Sequence, residues 1–427
     1  MILSARPAVW WPVQRGRALR RGLVISMLGP VALSAQERLV ASRLIGAGGS
    51  YERITFGGAG LSQAAFGGLD TTRVTSVEQF TLPMTASSPI AGGWRLDLTT
   101  LFAAGKVTFS DPSAAGGART AALSGISDVR ARATGRFLHD AIVMTVGLNL
   151  PSGLTALDAS QFSTLRIVAA PALGLGSSPV GAGLSGTIGL VLAQQIGRWS
   201  VAYGTSYEAR GRFQPVAALT AGTGSADFLP GGVFRMSLGA DRLLGPHRLS
   251  VAAAADVFAD DRFRGSSTGD SLSPALAQAE ARVRLGPVLS GDVQLVIAAP
   301  RVRELLAYWS YRWRAPFARD GRTVERSSGQ YVEAGVRAVV PWLRRTDVVL
   351  ASDARWHSGL GIDQGLPTAG VTSGGVSTGL QIGRGLLSLQ PYVRAQAGSL
   401  RQRAALVPTA VQSFLGLSGG LVVVTRF

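Results

Sequence analysis

The chain alternates polar and apolar residues at a period of two over most of its length. A representative stretch runs from Gln278 to Leu285 as Gln-Ala-Glu-Ala-Arg-Val-Arg-Leu, which places all polar residues on one face of an extended strand. Similar stretches recur along the sequence, and the connections between them alternate between very short and rather long. This pattern is typical of an antiparallel transmembrane β-barrel and predicts an all-β fold.

Composition agrees with a barrel rather than with several soluble domains. Only 16% of the 427 residues are charged, below the roughly 25% of a soluble domain, and the 55 glycines are spread throughout the chain. No stretch reaches the roughly 18 consecutive apolar residues that a membrane-spanning helix requires. We therefore expect residues 37–427 to cross a membrane as strands, within one domain.

Residues 1–36 have the organisation of a secretory signal peptide. Five arginines precede the apolar segment 23–33, and small residues follow it, which predicts cleavage near Ala35 or Gln36. A short membrane anchor is the alternative, but the apolar run is short and Gly29-Pro30 interrupts it. Because the segment carries five arginines and no acid, its removal lowers the formal net charge from +17 to +12.

The remaining positive charge does not indicate a nucleic-acid partner. The arginines are dispersed singly along the strands, and an exported protein would not meet a genome. An aqueous lumen, outer-membrane lipid or lipopolysaccharide is the better partner. The chain has no cysteine, which excludes disulfides and thiolate chemistry, and only three histidines, which makes a metal centre improbable. We expect no cofactor.

The pattern predicts sixteen strands, with fourteen as the alternative. They are expected near 39–55, 73–86, 94–109, 123–137, 140–150, 183–196, 198–212, 230–243, 247–259, 274–285, 291–312, 329–341, 346–358, 374–383, 386–400 and 414–427. Seven short links alternate with eight long ones. In bacterial outer-membrane barrels short turns face the periplasm and long loops face outside, so both chain ends are expected in the periplasm.

Alternation also assigns the two faces of each strand and predicts, for example, that Met236 and Val336 face lipid. A charge facing lipid costs about 2 to 4 kcal/mol at the bilayer midplane, so the charged face must line the lumen. The predicted lumen-lining residues are Arg130, Arg132, Arg136, Glu208, Arg210, Arg212, Glu280, Arg282, Arg284, Glu333 and Arg337. These charges could select solutes or could pair with one another and fill the interior.

Aromatic residues fall near the expected strand ends. The predicted membrane-interface aromatics are Trp94, Trp199 and Trp342 at short turns, and Trp309, Tyr311, Trp313 and Trp356 toward long loops. The chain ends on Phe427, preceded at two-residue steps by Thr425, Val423 and Leu421. This ending resembles the insertion signal that the barrel-assembly machinery recognises, although Thr425 departs from the usual apolar residue.

Two hairpins resemble those of one barrel family. The segment 125–132, Gly-Ile-Ser-Asp-Val-Arg-Ala-Arg, is followed by Gly-Leu-Asn-Leu-Pro-Ser-Gly at 147–153, and an earlier hairpin spans 75–98. They are similar to outer-membrane transporters of the phenol-degradation type, distantly related to long-chain fatty-acid channels. The resemblance covers about a fifth of the chain and implies hydrophobic or aromatic solutes.

The N-terminal plug of fatty-acid channels is not expected here, because few residues separate the predicted cleavage site from the first strand. The segment from Pro151 to Gly183 could block the lumen, but an external surface loop is the slightly favoured interpretation. The sequence thus predicts a passive channel for small solutes and no enzyme. An outer-leaflet hydrolase using His357, which shares a face with Asp353 and Arg355, and a closed structural barrel stay open as alternatives.

Overall fold

In the computed structural model the chain forms a closed antiparallel barrel of sixteen strands, as predicted. The structure describes residues 43–58, 60–62, 72–111, 117–138, 140–154, 157–170, 173–175, 180–216, 226–265, 280–325, 327–358, 368–384, 386–404 and 407–426. The predicted signal peptide and Phe427 lie outside these residues. The barrel strands are β1 Leu44–Phe56, β2 Arg73–Pro89, β3 Trp94–Ser110, β4 in two segments Ala118–Ile126 and Val129–Phe137, β5 Ile142–Leu150, β6 Ser185–Ile196, β7 Trp199–Arg210, β8 Val233–Leu244, β9 His247–Phe258, β10 Val288–Ala299, β11 Val302–Arg314, β12 Gly329–Leu343, β13 Thr346–His357, β14 Thr368–Arg384, β15 Leu387–Ala404 and β16 Val407–Arg426.

The first and last strands pair with each other and close the barrel. β1 lies antiparallel to β16 in a continuous register from Leu44 opposite Arg426 to Phe56 opposite Phe414. Each remaining strand pairs with its neighbours in sequence. Closure satisfies the backbone hydrogen bonds of both edge strands, which a sheet surrounded by lipid requires. No helix in the described part of the chain is long and apolar enough to cross a membrane.

The outward faces of the strands are apolar and exposed. Large side chains such as Leu148, Val376 and Leu417 point away from the barrel and are between 53% and 65% exposed. The predicted lipid-facing residues Met236 and Val336 belong to the same belt. A belt of this extent on a protein surface needs an apolar solvent, and the strands that carry it are long enough to cross a bilayer.

The count of sixteen is confirmed, but the strands predicted at 274–285 and 291–312 are wrong. The stretch 291–312, predicted as a single strand, contains the hairpin of β10 and β11, with its turn at Pro300-Arg301. Arg301 adopts the left-handed backbone conformation that such a turn requires, with φ of 63°. No glycine marks this turn in the sequence, so the alternation on both sides looked continuous.

Within the predicted membrane strand 274–285, the described residues Glu280–Arg284 belong to a second sheet outside the barrel, here termed the outer sheet, and residues 274–279 lie outside the described residues. Its strands are Phe213–Val216, Ala226–Leu229, Asp260–Gly265, Glu280–Arg284, Ala318–Arg319 and Arg322–Thr323. The segment Glu280–Arg284 leads into β10 through Gly286-Pro287, so the predicted short turn at 286–290 is also wrong. A Cβ at Gly286 would overlap the carbonyl oxygen of Ala315, which explains why glycine stands at this bend.

The described parts of the connection between β5 and β6, at 151–154, 157–170, 173–175 and 180–184, fold into the barrel, contrary to the favoured interpretation of a surface loop. The connection contains helix α1, Ala159–Val168, which begins at a capping box formed by Asp158 and Gln161. The helix contacts β2, β3 and β4, and the buried residues after it continue along the inner wall. This connection, residues 151–183, is termed the inner segment below.

Candidate functional site

One part of the inner wall is apolar and covered by the inner segment. Ile167 and Val168 of α1, followed by Leu173, pack into a cluster with inward-facing residues of six strands. The strand residues of this cluster include Ile54, Phe56, Val74, Val77, Val107, Phe109, Val371, Leu400 and Phe414. We call this surface the covered wall. Burial of apolar side chains stabilises the inner segment in the lumen.

The fit of the inner segment against the wall depends on small residues. A Cβ at Gly105 of β3 would lie 3.5 Å from the Cβ of Val168, so the glycine lets the helix approach the strand closely. Further along, Gly174 has a φ of +67° and lies against the guanidinium group of Arg355 on β13. A side chain at Gly174, or at Gly105 while Val168 keeps its two Cγ atoms, would displace the segment from the wall.

Beside the covered wall lies a network of charged and amide side chains. Arg355 donates to the Gln396 Oε1 atom at 3.2 Å, and Gln396 donates in turn to Glu52 at 3.0 Å. Arg394 forms an ion pair with Asp353 at 2.7 Å. The network joins strands β1, β13 and β15 across the inner surface, so the inner segment rests on charges that already have protein partners.

The inner faces of β4 to β12 form the open wall, which carries both paired arginines and arginines that form no ion pair with a described residue. The register aligns Asp97, Arg132, Gly147, Thr187 and Glu208 in one row across β3 to β7. Arg132 lies in the field of Asp97 and Glu208 but forms no ion pair with a described residue. The neighbouring Arg130 is exposed and likewise has no ion-pair partner among the residues that the structure describes.

Other charges of the open wall are paired across neighbouring strands. Arg235 binds both carboxylate oxygens of Asp256, at 2.5 and 2.7 Å. Arg337 contacts Glu304 at 2.7 Å, and both side chains are largely buried. Bidentate and buried pairs of this kind hold their geometry better than exposed ones. The open wall therefore combines fixed pairs with two arginines, Arg130 and Arg132, that form no ion pair with a described residue.

Strand register places seven of the eleven predicted lumen residues on the inner face: Arg130, Arg132, Arg136, Glu208, Arg210, Glu333 and Arg337. Asp97, which was not predicted, lies on the same face. Arg136 lies 3.8 Å from Asp140, and Arg210 lies 3.4 Å from Glu208. Glu333 accepts hydrogen bonds from Tyr308, at 3.2 Å, and from Tyr331.

Four predicted lumen residues belong to the outer sheet or its approach instead. Arg212 follows the end of β7, is exposed, and lies 3.5 Å from Asp227. Arg282 and Arg284 are exposed in the outer sheet, where Arg284 pairs with Asp260 at 2.6 Å, and Glu280 begins the same strand. Their assignment to the lumen is wrong because an exposed strand above the membrane has the same alternation as a barrel strand.

The seven predicted interface aromatics lie on outward-facing positions of the strands. Near a short turn, the Arg242 Cζ atom lies 5.4 Å from the ring centroid of Trp199 on β7, in a cation–π contact. Trp94 contacts Phe137 edge to face. Trp309 and Tyr311 stack with parallel rings at the other end of the barrel. Trp313 shares their face, while Trp342 and Trp356 are exposed on β12 and β13.

The side chains near His357 differ from those expected of a hydrolase. His357 points inward, is 5% exposed, and has the ring of Tyr331 as a neighbour at 6.1 Å. The adjacent Ser358 hydroxyl accepts the backbone N–H of Gln330 at 2.8 Å. No group of three or more His, Cys, Asp or Glu side chains in the described ranges could hold a metal ion.

Asp128 was not among the predicted site residues, although it lies within the motif 125–132 that carries the family resemblance. The Asp128 side chain is 4% exposed and accepts hydrogen bonds from Asn149 and from backbone N–H groups of the inner segment. Val129 also donates its N–H to the Ser152 hydroxyl at 2.8 Å. The two parts of the motif, residues 125–132 and 147–153, thus contact each other at the junction between the two segments of β4.

Comparisons with known proteins give remote structural similarities alone. No family model and no curated protein matches the sequence. OprB of Pseudomonas putida, in its high-pH structure, is 10% identical; the match covers 92% of this chain and 96% of OprB, with a TM-score of 0.42. An outer-membrane channel of Pseudomonas putida F1 is 12% identical over 91% of this chain and 96% of its own, with a TM-score of 0.32. A deltaS2 mutant of the TodX monoaromatic hydrocarbon channel is 7% identical over 91% and 90%, with a TM-score of 0.39.

Proposed function

We propose that this protein is a passive channel for small solutes in the outer membrane of a Gram-negative bacterium. The observation that carries the proposal is the separation of the two barrel faces. The outer face is an exposed apolar belt, whereas the inner face holds arginines, acids and amides. A barrel with these two faces needs lipid around its outer face and water or solute along its inner face.

The open wall favours anionic or aromatic solutes. Arg130 and Arg132 form no ion pair with a described residue, and guanidinium groups bind both carboxylates and aromatic faces. Aromatic and hydrophobic solutes are also what the family resemblance of the two hairpins implies. Solutes would enter between the long connections, pass the open wall and leave at the short turns.

The same proposal includes the features that accompany export and insertion. Residues 1–36 act as the signal peptide, the seven outward aromatics lie at the two lipid interfaces, and Phe427 closes the strand that the insertion machinery recognises. Outer-membrane lipid and lipopolysaccharide surround the belt. No catalytic step is proposed.

Single-channel recording in planar bilayers tests the proposal. The matched variant replaces residues 155–179 with a short glycine-serine linker, which is feasible because Gly153 and Gly181 lie backbone against backbone. We expect discrete conductance from the full protein and a larger conductance from the variant. If both proteins are silent and neither passes solute in liposome flux assays, the barrel is a closed scaffold.

A separate variant tests the hydrolase alternative. We expect that His357→Ala changes neither the conductance nor any rate of lipid or peptide hydrolysis. Loss of a hydrolytic activity that the unmodified protein shows would favour the enzyme instead.

A further inference from the structure

Both ends of the inner segment meet at a single carboxylate. The Asp128 Oδ1 atom accepts the N–H of Gly153 at 3.0 Å, at the start of the segment. Its Oδ2 atom accepts the N–H of Ala182 at 2.6 Å, at the end of the segment. The Asn149 side-chain amide donates to the same Oδ2 atom at 2.9 Å. Three hydrogen bonds therefore reach one aspartate from positions up to 54 residues away in sequence.

The backbone around this carboxylate is packed too closely for side chains. Leu154 and Val180 form a parallel bridge, and the Gly181 N–H donates to the Leu154 carbonyl at 2.8 Å. A Cβ at Gly153 would lie 2.8 Å from Gly181, and a Cβ at Gly181 would overlap the Asp128 carboxylate. The two ends of the segment, at residues 153–154 and 180–181, therefore lie side by side next to Asp128.

We propose that Asp128 is the positioning residue that holds the inner segment in the lumen, and thereby sets the constriction of the pore. The covered wall supplies apolar contact area, but such contacts are not directional. Asp128 supplies direction, because an ionised carboxylate only accepts hydrogen bonds and here receives them from both ends of the segment. The effect on the pore rests on the proposed channel function, whereas the position of the segment does not.

The Asp128→Asn variant tests this role with nearly unchanged side-chain volume. Its amide cannot accept from both ends, because its NH₂ group must face at least one N–H donor. We expect the population with a released inner segment to rise about tenfold to a hundredfold. At about 1.4 kcal/mol per factor of ten, this corresponds to the loss of one or two charge-assisted hydrogen bonds.

Trypsin cleavage measures the released population without requiring conductance. Arg166 is the sole lysine or arginine between Pro151 and Gly183, so cleavage after it reports on this segment. We expect Asp128→Asn in detergent or liposomes to be cut there about tenfold to a hundredfold faster than the unmodified protein. Cleavage at the exposed Arg284 of the outer sheet should be unchanged and serves as the internal reference. Equal cleavage rates at Arg166 would overturn the proposal.

Two further variants separate release of the segment from misfolding of the barrel. Gly181→Ala keeps the aspartate but forces the carboxylate away, and should also expose Arg166; Gly186→Ala, with no atom within 4 Å of its new Cβ, should not. Asp256→Asn removes a carboxylate from the open wall and should leave Arg166 protected. Comparison of the electrophoretic mobility of heated and unheated samples shows whether each barrel is folded.

A disulfide provides the reversal test. The cysteine-free chain allows Gly105→Cys to be combined with Val168→Cys, whose Cβ separation of 3.5 Å suits a disulfide. Oxidation should restore protection of Arg166 in Asp128→Asn, and reduction should remove it. If protection stays lost after oxidation, Asp128 acts through the barrel wall and the proposal fails. If all forms protect as expected but none conducts, the position of the segment is supported and the channel function fails.

Discussion

The covered wall and the open wall are built from the same alternating strands, yet their inward positions hold opposite chemistry. Along β3 the inward residues Val107 and Phe109 are fully buried under α1, whereas along β4 the inward Arg130 is exposed. The apolar inward residues have a protein partner, and the charged ones face the lumen. The chemistry of an inward face therefore follows what lies against it, which is the helix α1 at Val107 and Phe109 and the lumen at Arg130.

The largest expected effect comes from placing a charge in the covered wall. Val168→Asp would bury a carboxylate without a partner, at a cost of more than about 3 kcal/mol, so the inner segment should leave the wall. Trypsin cleavage at Arg166 measures this release. Ser160→Asp on the same helix is the control, because Ser160 is exposed and an acid in the first turn stabilises a helix. Equal protection in both variants would mean that apolar contact does not hold the segment.

The next effect separates buried from exposed pairs within the open wall. Glu304→Gln leaves Arg337 without its ionised partner and should lower the free energy of unfolding by about 2 kcal/mol. Glu208→Gln at the more exposed pair with Arg210 should cost less than about 1 kcal/mol. Urea unfolding of the refolded barrels in liposomes compares the two. Similar costs would show that water reaches both pairs equally.

A smaller effect concerns ion selectivity along the open wall. Unit charges 4 Å apart interact by about 1 kcal/mol in water, so Arg132→Glu should lower the anion-to-cation permeability ratio by roughly fivefold per unit of charge removed. Reversal potentials in salt gradients measure the ratio. Lys106→Glu is the control, since Lys106 is exposed on the outward face of β3. A shift of the same size in the control would place the selective charge outside the lumen.

The smallest effect belongs to the outer sheet. The hydrogen bond from Arg284 lowers the pKa of the Asp260 carboxyl. Because the folded pKa lies below the ordinary value of about 3.9, this pair stabilises the sheet above that pH and loses its effect as the pH falls further. Burial raises the pKa of the neighbouring Asp261, which acts in the opposite direction.

Acid cleavage by pepsin at the outer sheet should therefore differ only slightly between the unmodified protein and Asp260→Asn. The difference should shrink as the pH falls below the Asp260 pKa. A difference that grows at low pH would contradict this assignment of the pair.

Much of the barrel could be predicted from the sequence because lipid imposes a strict rule on each strand. Positions such as Met236 and Val336 were assigned to the outer face from alternation alone, and the structure places them there. The strand count was also right, although two errors compensated: Glu280–Arg284 is not a barrel strand, and β10 and β11 are two. Alternation shows that a strand has one polar and one apolar face, but it does not show what packs against the apolar face.

The candidate site was less predictable for the same reason. Arg130 and Arg132 were identified from their face, whereas Arg282 and Arg284 have an identical pattern above the membrane. Asp128 lay inside a recognised motif, but its role depends on Gly153 and Ala182, which approach it only when the inner segment folds back. No local pattern encodes a contact between chain positions so far apart.

The sequence alone determined that the strands close into a barrel, and which face of each strand meets lipid, because the cost of exposing charge to acyl chains acts on every residue separately. The tertiary structure decided that residues 151–183 enter the lumen and that one carboxylate joins their two ends. Those outcomes depend on apolar area shared by six strands and on hydrogen bonds between distant residues, which exist only after the barrel has closed.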